Sequence, residues 1–250
     1  MSALGQPFII LDTVDSTNNY AMGQVHAQLT KHGTVYFALE QTAGKGQRTK
    51  SWKSETGQNI ILSMVINPGK LKPHQTFFLS AAVAVACREF FVKYVGDDAF
   101  IKWPNDLYWC DRKAGGILIE NLIRGSDWAY AIAGIGINVN QTQFPEEIKY
   151  GVSLKQITGR SFNCQMLAKE LCAIVDRWFE LLQKGQWQLV LNTYREQLYK
   201  RGKQVRFKSN SRVFDAEVLD VTEEGKLRVR AGEAEEEFGI GEIEFILQPS

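Results

Sequence analysis

The sequence predicts an α+β fold, in which helices pack on a mixed β-sheet, followed by a small all-β unit. Three observations indicate this fold. Short runs rich in β-branched and aromatic residues alternate with helical patterns over residues 7–139. Two longer segments between residues 163 and 198 place apolar residues at helical spacing. After residue 201 only short strand patterns remain, separated by turn signals such as those of residues 222–225.

The first part of the chain predicts three strands, and the second and third flank a basic loop that contains glycine. β-Branched and aromatic residues are frequent in these strands. Ser16 and Thr17 carry hydroxyl groups that suit the N-cap of a helix after the first strand. The predicted elements are a strand over 7–14, a helix reaching about residue 29, and strands over 34–40 and 59–66.

The middle of the chain predicts three helices, a short strand and a β-hairpin that turns at residues 125–127. The helix over 163–183 has the clearest periodicity, because its apolar residues recur at i, i+3, i+4 and i+7. A mixed sheet with helices on it follows from this order. The predicted elements are a helix over 73–95, a strand over 99–103, hairpin strands over 113–124 and 128–139, and helices over 163–183 and 187–198.

The change of pattern near residue 201 predicts a domain boundary. We expect a main domain over residues 1–201 and a second domain over residues 202–250. Short strands with turns between them are typical of a small β-barrel. The predicted strands of this domain cover 205–207, 213–221, 227–229 and 236–240.

Composition excludes several classes of function. The 29 basic residues nearly balance the 28 acidic ones, so the net charge of +1 indicates no general affinity for nucleic acid or membranes. Any anion site must therefore be local. The longest apolar run, 77–87, is shorter than the roughly 20 residues of a membrane span. The three histidines have no partner at ligand spacing, which argues against a zinc site, and we expect no bound structural metal.

Cysteine usage and the start of the chain predict a reducing compartment, and hence the cytoplasm. The four cysteines form no CxxC pair, and the first residues lack the basic and then apolar pattern of a signal peptide. We therefore expect no disulfides.

The basic loop over residues 41–52 is the first candidate for an anion site. It combines Gly44 and Gly46 with Lys45, Arg48 and Lys50. Glycine lets backbone N–H groups approach a phosphate, and the cations neutralise its charge. Taken alone, such a loop is more often a solvated surface loop. It does not match the dinucleotide fingerprint, and the chain contains no P-loop motif.

Three further motifs place polar groups or glycines beside strands. The first, over 102–106, sets a lysine, an amide and a carboxylate around a proline, although an ordinary turn explains it equally well. The second, over 113–116, adds a lysine and two glycines. Together the two motifs place two lysines near one carboxylate, which indicates a site for a negatively charged ligand. In the third, over 134–140, glycines alternate within a strand. This arrangement marks the close approach of a ligand or of another part of the chain. For Gly134, packing beneath a helix is a reasonable alternative to a ligand contact. For Asn138, at the end of the strand, we expect a polar contact to a ligand.

Five motifs in this order and spacing resemble those of the biotin protein ligases, over nearly the whole chain. They read DSTNNYA at 15–21, QTAGKGQRTKSW at 41–52, KWPNDLYW at 102–109, KAGGILIEN at 113–121 and GIGINVN at 134–140. The resemblance implies a catalytic domain akin to class II aminoacyl-tRNA synthetases and lipoate ligases, and a C-terminal SH3-like β-barrel. It also implies that biotin and ATP form biotinyl-5′-adenylate, which a lysine of a carrier protein then attacks.

The resemblance carries functional roles to individual residues. It implies three catalytic residues, namely Lys113, Asp106 and Lys45. The implied biotin-binding residues are Ser16, Thr17, Asn18, Gln41, Gly44, Lys45, Lys113, Gly115 and Gly116. The implied nucleotide-binding residues are Gly46, Arg48, Trp52, Lys102, Asn105 and Asn138. Magnesium is inferred from the use of ATP alone. Lys45 and Thr49 depart from the family's usual GRGRRG loop, and lysine lacks the planar fork of arginine.

The resemblance also implies partners and leaves alternatives open. The expected partner is the biotin carboxyl carrier domain of a carboxylase, with no nucleic acid and no membrane, in a monomer or a homodimer. Because the first catalytic strand begins near residue 7, we expect a short form without the N-terminal DNA-binding domain that some members carry. The alternatives are a lipoate or octanoate ligase and a biotin sensor without turnover. The octanoyl-transfer branch uses a cysteine nucleophile, and Cys110 lies close to Lys113, although an incidental thiol at a strand end explains Cys110 better.

Overall fold

The structure is a computed structural model that describes residues 3–48, 50–145 and 150–246. Its larger sheet has seven strands in the order β1-β2-β3-β7-β6-β5-β4. The β1 and β2 strands are parallel and the other neighbours are antiparallel, so the predicted mixed sheet is confirmed. The strands are β1 (Phe8–Val14), β2 (Val35–Gln41), β3 (Asn59–Ile66), β4 (Ala99–Lys102), β5 (Asp106–Trp109), β6 (Arg112–Arg124) and β7 (Asp127–Asn138).

Helices cover both faces of this sheet. On one face, α2, α4 and α5 enclose the main hydrophobic core. On the other face, α1 packs on β3 and β7 around a smaller cluster that includes Ala21, Tyr36 and Val65. All eight residues of β3 are buried, as expected for a strand with both faces covered. The helices are α1 (Thr17–His26), α2 (Thr76–Val95), α3 (Leu154–Thr158), α4 (Cys164–Gln183) and α5 (Trp187–Glu196).

Three elements have no counterpart in the predictions. The β5 strand shares only Asp106 with the possible turn over 102–106, and it pairs with both β4 and β6. The short helix α3 begins at a capping box, in which Gln156 N donates to Ser153 Oγ and Ser153 N donates to Gln156 Oε1. The last strand, β12 (Glu244–Phe245), has only two residues. Each is too short for a periodic signal.

The C-terminal strands form a second sheet of five antiparallel strands in the order β11-β10-β9-β8-β12. Its end strands, β11 and β12, do not pair with each other among the described residues, so this sheet is open and the predicted barrel is not confirmed. The remaining strands are β8 (Gln204–Ser209), β9 (Arg212–Val221), β10 (Leu227–Ala231) and β11 (Ala234–Phe238).

The two sheets share one hydrophobic core, which includes Trp103 from the larger unit and Phe207 and Leu227 from the smaller one. Trp103 Nε1 donates a hydrogen bond of 2.9 Å to Gly225 O. Arg195 Nε donates to Val221 O at 2.7 Å. The boundary near residue 201 stays a prediction. No helix within the described residues is both long and apolar enough to cross a membrane.

Candidate active site

A cavity of about 880 Å³ lies against the sheet face that α1 covers. This volume is within the range of roughly 300–1,000 Å³ that is usual for small-molecule sites. Most of the residues implied by the resemblance line it. Those lining residues are Ser16, Thr17, Asn18, Gln41, Lys45, Gly46, Arg48, Trp52, Lys102, Asn105, Asp106, Lys113 and Gly116.

Strand register explains why distant motifs meet at this cavity. Lys102 is paired with Asp106, Asp106 with Gly116, and Gly116 with Gly136 across β4, β5, β6 and β7. Paired residues of neighbouring strands point to the same face of a sheet. The lysine, the carboxylate and the two glycines therefore form one row across the cavity floor.

The two glycines of this row make room for Trp52. A Cβ atom at Gly136 would lie 2.6 Å from the Trp52 ring, and one at Gly116 would lie 3.4 Å from it. The indole ring thus rests on the sheet as part of the cavity wall. The Trp52 indole N–H is buried and has no hydrogen-bond partner among the described residues. Gly115 lies outside the cavity lining, and a Cβ there would lie 2.7 Å from Gly136 O.

The start of α1 is held by Gln41 from the end of β2. Gln41 Oε1 accepts from Thr17 N at 2.7 Å and from Thr17 Oγ1 at 3.1 Å. Ser16 is the residue before the helix, as predicted, but its side chain makes no capping hydrogen bond. The capping oxygen therefore comes from a distant strand. Ser16 and Gln41 both line the cavity wall.

Ser63 and Glu120 extend this polar network, and the sequence analysis missed both. Ser63 Oγ lies 2.7 Å from Thr17 Oγ1 and 2.6 Å from Asn18 Oδ1. Asn18 Nδ2 donates to Glu120 Oε2 at 2.7 Å. A serine within an otherwise apolar strand was the available signal for Ser63. A Cβ at Gly134 would collide with the Asn18 amide, so the close contact there is packing against a helix.

The basic loop folds back on itself. Trp52 N donates to Gly44 O, and Gly46 N donates to Lys50 O, both at 2.8 Å. Gly44 lies outside the cavity lining, and a Cβ there would lie 2.6 Å from Gln41 Nε2 and would collide with Trp52 O. The absence of a side chain at Gly44 thus allows the close packing of its backbone against Trp52 and Gln41. Thr49 falls outside the described residues.

The cations of the loop have partners on both sheets. Lys45 Nζ lies 3.8 Å from Glu120 Oε1 on β6. Arg48 donates a hydrogen bond of 2.9 Å to Ile240 O, and Lys50 Nζ lies 4.0 Å from a carboxylate oxygen of Glu244. The loop is therefore positioned between the larger sheet and the C-terminal sheet.

Lys113 and Asp106 form a half-buried ion pair of 2.6 Å at the cavity wall. Asn138 donates its side-chain N–H groups to Lys113 O at 3.3 Å and to Val152 O at 3.1 Å. It is buried and lies outside the cavity lining, where it holds the backbone of Lys113 in place. Its contact with a nucleotide stays a prediction. Asn105 also donates to backbone, at Ile117 O.

Lys102 is a largely desolvated cation of the cavity wall. Burial lowers the pKa of Lys102, the nearby Asp106 carboxylate opposes this effect, and Lys113 adds to it. Its ammonium group lies 3.4 Å from Tyr108 Oη. Burial, followed by the charges of Asp106 and Asp111, raises the pKa of Tyr108, so its phenol stays neutral.

Cys110 does not have the properties of a nucleophile. It is exposed and lies outside the cavity lining. Partial burial, followed by the charges of Asp98 and Asp111, raises the pKa of its thiol. The thiolate form needed for attack is therefore disfavoured. The other three cysteines are buried, and all four are free thiols.

Comparisons with known proteins identify the family of this chain. The model of the Biotin/lipoate A/B protein ligase family matches residues 10–138. The bifunctional ligase/repressor BirA of Salmonella typhimurium is 33% identical over 178 residues, which are 70% of this chain and 54% of that protein. The human biotin–protein ligase is 28% identical over 56% of this chain and 20% of its own length. The chain thus spans about half the length of the BirA proteins it matches.

Solved structures share the fold. The biotin protein ligase of Aquifex aeolicus, in complex with biotin and ATP, aligns over 97% of this chain and 100% of its own, with a TM-score of 0.81 and 23% identity. The Leishmania major enzyme in complex with biotinyl-5-AMP aligns over 94% of this chain and 99% of its own, with a TM-score of 0.64 and 22% identity. With the family model covering just over half of its residues, the chain belongs to the biotin/lipoate A/B protein ligase family.

Proposed function

We propose that this protein is a biotin–protein ligase. In the proposed reaction, biotin and ATP form biotinyl-5′-adenylate and pyrophosphate, and the biotinyl group then passes to a lysine of a biotin carboxyl carrier domain. One observation carries the proposal. A single cavity joins a polar network around Thr17 and Gln41, an apolar wall, the Lys113 and Asp106 ion pair, and the cations of the basic loop.

The polar network suits the ureido ring of biotin. Gln41 Oε1 is engaged by Thr17, which orients the Gln41 amide N–H groups for an acceptor such as the ureido carbonyl. The Ser16 hydroxyl can accept from a ureido N–H. Trp52 and Ile61 line the same cavity and offer apolar surface to the thioether ring and the chain. Buried ureido groups left without such partners would weaken binding.

The cations suit the first half-reaction. An oxygen of the biotin carboxylate attacks the α-phosphorus of ATP, and the bond from that phosphorus to the bridging oxygen breaks to release pyrophosphate. Two anions must meet, so positive groups are needed where they approach. Lys113 stands at the cavity wall for this purpose, with Lys45, Arg48 and Lys102 beside it. Fixed charges in a partly desolvated site stabilise the developing charge more strongly than charges in water.

The ion pair of Lys113 and Asp106 suits the second half-reaction. Once Lys113 turns to the adenylate phosphate, the Asp106 carboxylate is free to orient the amine of the acceptor lysine. That amine attacks the carbonyl carbon of the mixed anhydride, AMP leaves with the bridging oxygen, and the amide nitrogen loses its extra proton to solvent. Lys113 and Asp106 thus exchange partners between the two steps.

Magnesium is proposed as a companion of ATP. The cavity carboxylates Asp106 and Glu244 already face lysines, at 2.6 Å from Lys113 and 4.0 Å from Lys50. Within the described residues, no group of three or more His, Cys, Asp or Glu side chains is placed to hold a metal. Such a set does not fit a resident metal, and Mg²⁺ would be held chiefly by phosphate oxygens.

The wider setting is part of the proposal. The larger sheet with its helices corresponds to the catalytic domain that the family shares with class II aminoacyl-tRNA synthetases, and the C-terminal sheet to its SH3-like barrel. We place the protein in the cytoplasm, because four free cysteines fit a reducing compartment. An octanoyl transferase with a cysteine nucleophile is disfavoured by the raised pKa of Cys110 and by its position outside the cavity lining.

The test supplies one acid at a time. The chain is incubated with ATP, Mg²⁺ and either biotin, lipoate or octanoate, and pyrophosphate release is measured, followed by transfer to a carrier domain. We expect release with biotin only, and labelling of the carrier lysine. The Lys113→Ala variant should lose about 100-fold or more in rate, whereas Lys184→Ala, an exposed lysine outside the cavity, should not change it. Turnover with lipoate, or biotin binding without pyrophosphate, would contradict the proposal.

A further inference from the structure

Lys102 lies over two aromatic rings that come from different sheets. Its Nζ atom is 4.9 Å from the ring centre of Tyr108 on β5 and 5.1 Å from that of Phe245 on β12. Both distances are within the roughly 6 Å limit for a cation–π interaction. Lys102, Tyr108 and Phe245 all line the cavity. The C-terminal sheet therefore contributes directly to the surroundings of a cation of the candidate site.

The rings matter because Lys102 has lost much of its water. Burial has the largest effect on its pKa and lowers it, and the positive charges of Lys113 and Lys50 act in the same direction. The carboxylates of Asp106 and Glu244 act in the opposite direction. A desolvated ammonium group gains more from an aromatic face than an exposed one does. The two rings thus help to keep Lys102 charged and in place.

Phe245 is itself firmly held. Only 8% of its surface is exposed, and its ring centre lies 4.7 Å from that of Phe207 and 6.2 Å from that of Tyr199. Its backbone is paired with Phe207 across β12 and β8. Phe245 is therefore a rigid platform, whereas a lysine side chain alone would sample many rotamers.

We propose that Phe245 is a positioning residue for Lys102, through which the C-terminal sheet sets the cation that receives the phosphate groups of the nucleotide. The identity of that nucleotide as ATP rests on the proposed function. The contact between Lys102 and the Phe245 ring is independent of the proposed function. Phe245 carries no polar group, so its contribution is to hold Lys102 and to keep water from one side of it.

The first experiment reads Lys102 directly and needs no substrate. Wild type and variants are treated with a limiting amount of acetic anhydride at several pH values, and acetylation of Lys102 is measured by mass spectrometry. Phe245→Leu keeps an apolar side chain and removes the ring face. We expect it to raise the acetylation of Lys102 by about threefold to tenfold, because the ammonium form loses a favourable contact. Phe245→Trp retains a ring and should stay near wild type.

Phe238→Leu is the matched control. This phenylalanine lies on β11 of the same sheet, packs against Phe214 at 6.1 Å and lies outside the cavity lining. It should leave acetylation of Lys102 unchanged. If Phe245→Leu does not fold, as judged by its thermal melt, Phe245→Met makes the same comparison. Unchanged acetylation in a folded Phe245→Leu or Phe245→Met variant would overturn the proposal.

The second experiment separates this proposal from the proposed function. Biotin-dependent exchange of pyrophosphate into ATP is measured for the same variants. We expect Phe245→Leu to raise KM for ATP about threefold to tenfold and to leave KM for biotin unchanged, with Phe245→Trp restoring the wild-type value. An inactive wild type would refute the proposed function and leave the acetylation result standing. An active wild type with no change in Phe245→Leu in either experiment would refute the positioning role alone.

Discussion

Lys45 shows how a single residue in the loop depends on the sheet beside it. Its ammonium group lies 3.8 Å from Glu120, whose other carboxylate oxygen accepts from Asn18 Nδ2 at 2.7 Å. Glu120 thus links the loop to the first turn of α1. Because the side chains of Lys45 and Glu120 are both more than a third exposed, their attraction contributes little to stability. Lys45 therefore stays available for a phosphate at small energetic cost.

The Lys45→Ala variant should release the adenylate faster than wild type, or fail to form it. A charge-assisted hydrogen bond contributes about 1.5–3 kcal/mol, which corresponds to release that is about tenfold to 100-fold faster. The measurement is retention of radiolabelled adenylate on the protein during gel filtration. Lys45→Arg supplies two parallel donors and should retain the adenylate at least as long as wild type. Equal retention by wild type and the alanine variant would remove Lys45 from the site.

At the scale of elements, two glycines, one beneath α1 and one on its exposed side, have different surroundings. Gly134 lies on β7 beneath α1, where a Cβ atom would collide with the Asn18 amide. Gly23 lies on the exposed side of α1, where a Cβ atom would meet nothing within 4 Å. The same substitution should therefore have opposite effects at these two positions.

Gly134→Ala should destabilise the protein by about 1–3 kcal/mol, because overpacking displaces Asn18 from Ser63 and Glu120. Gly23→Ala should stabilise it by about 0.5–1 kcal/mol, because alanine loses less backbone freedom in a helix. Urea denaturation of both variants measures these changes. A Gly134→Ala variant as stable as wild type would mean that α1 does not approach β7 as closely as described.

The strands and helices of the main unit were largely predictable, because each carries its own periodic signal. The predicted strand over 59–66 coincides with β3, and the predicted hairpin matches β6 and β7 within one residue at each end. The capping of α1 was not predictable, since the oxygen comes from Gln41, which is 24 residues away from Thr17. The hydrogen bonds of Asn138 were not predictable for the same reason. Its partners include Val152, on a segment that the periodic pattern did not reach.

The candidate site was predictable to the extent that its residues lie in contiguous motifs. The basic loop and the residues around Lys102 and Lys113 were found in this way, and most of them line one cavity. Phe245 was missed because an aromatic residue in a short strand gives no signal of its own. Its contact with Lys102 joins residues that are 143 positions apart and depends on how the two sheets dock. Long-range contacts of this kind are absent from any local pattern.

At the scale of the whole molecule, the junction between the two sheets decides whether the cavity is complete. The C-terminal segment supplies Ile240, Glu244 and Phe245 to the cavity wall. The junction is anchored at the turn between β9 and β10, where Gly225 O accepts from the Trp103 indole. The hydrophobic core continues through this junction, so we expect both sheets to unfold in a single transition.

Gly225 offers the sharpest test of that junction. It has φ of +86°, and a Cβ atom there would collide with the Phe77 ring of α2. Gly232, in the turn between β10 and β11, has φ of +65° and nothing within 4 Å. Gly232→Ala should therefore lower the free energy of unfolding by about 1–2 kcal/mol through backbone strain alone. Gly225→Ala should lower the free energy of unfolding by about 1–3 kcal/mol more than Gly232→Ala does, because overpacking against Phe77 adds to the strain.

The two variants also separate stability from assembly of the site. Gly225→Ala should weaken ATP binding as well, because displacement of the turn moves Phe245 and Glu244 with the C-terminal sheet. Gly232→Ala should lower stability without this loss. Unfolding in urea is followed by circular dichroism and by tryptophan fluorescence, and the two curves should coincide for both variants. If Gly225→Ala instead unfolds in two steps, with the second at the wild-type midpoint, the sheets are independent units and the shared core does not couple them.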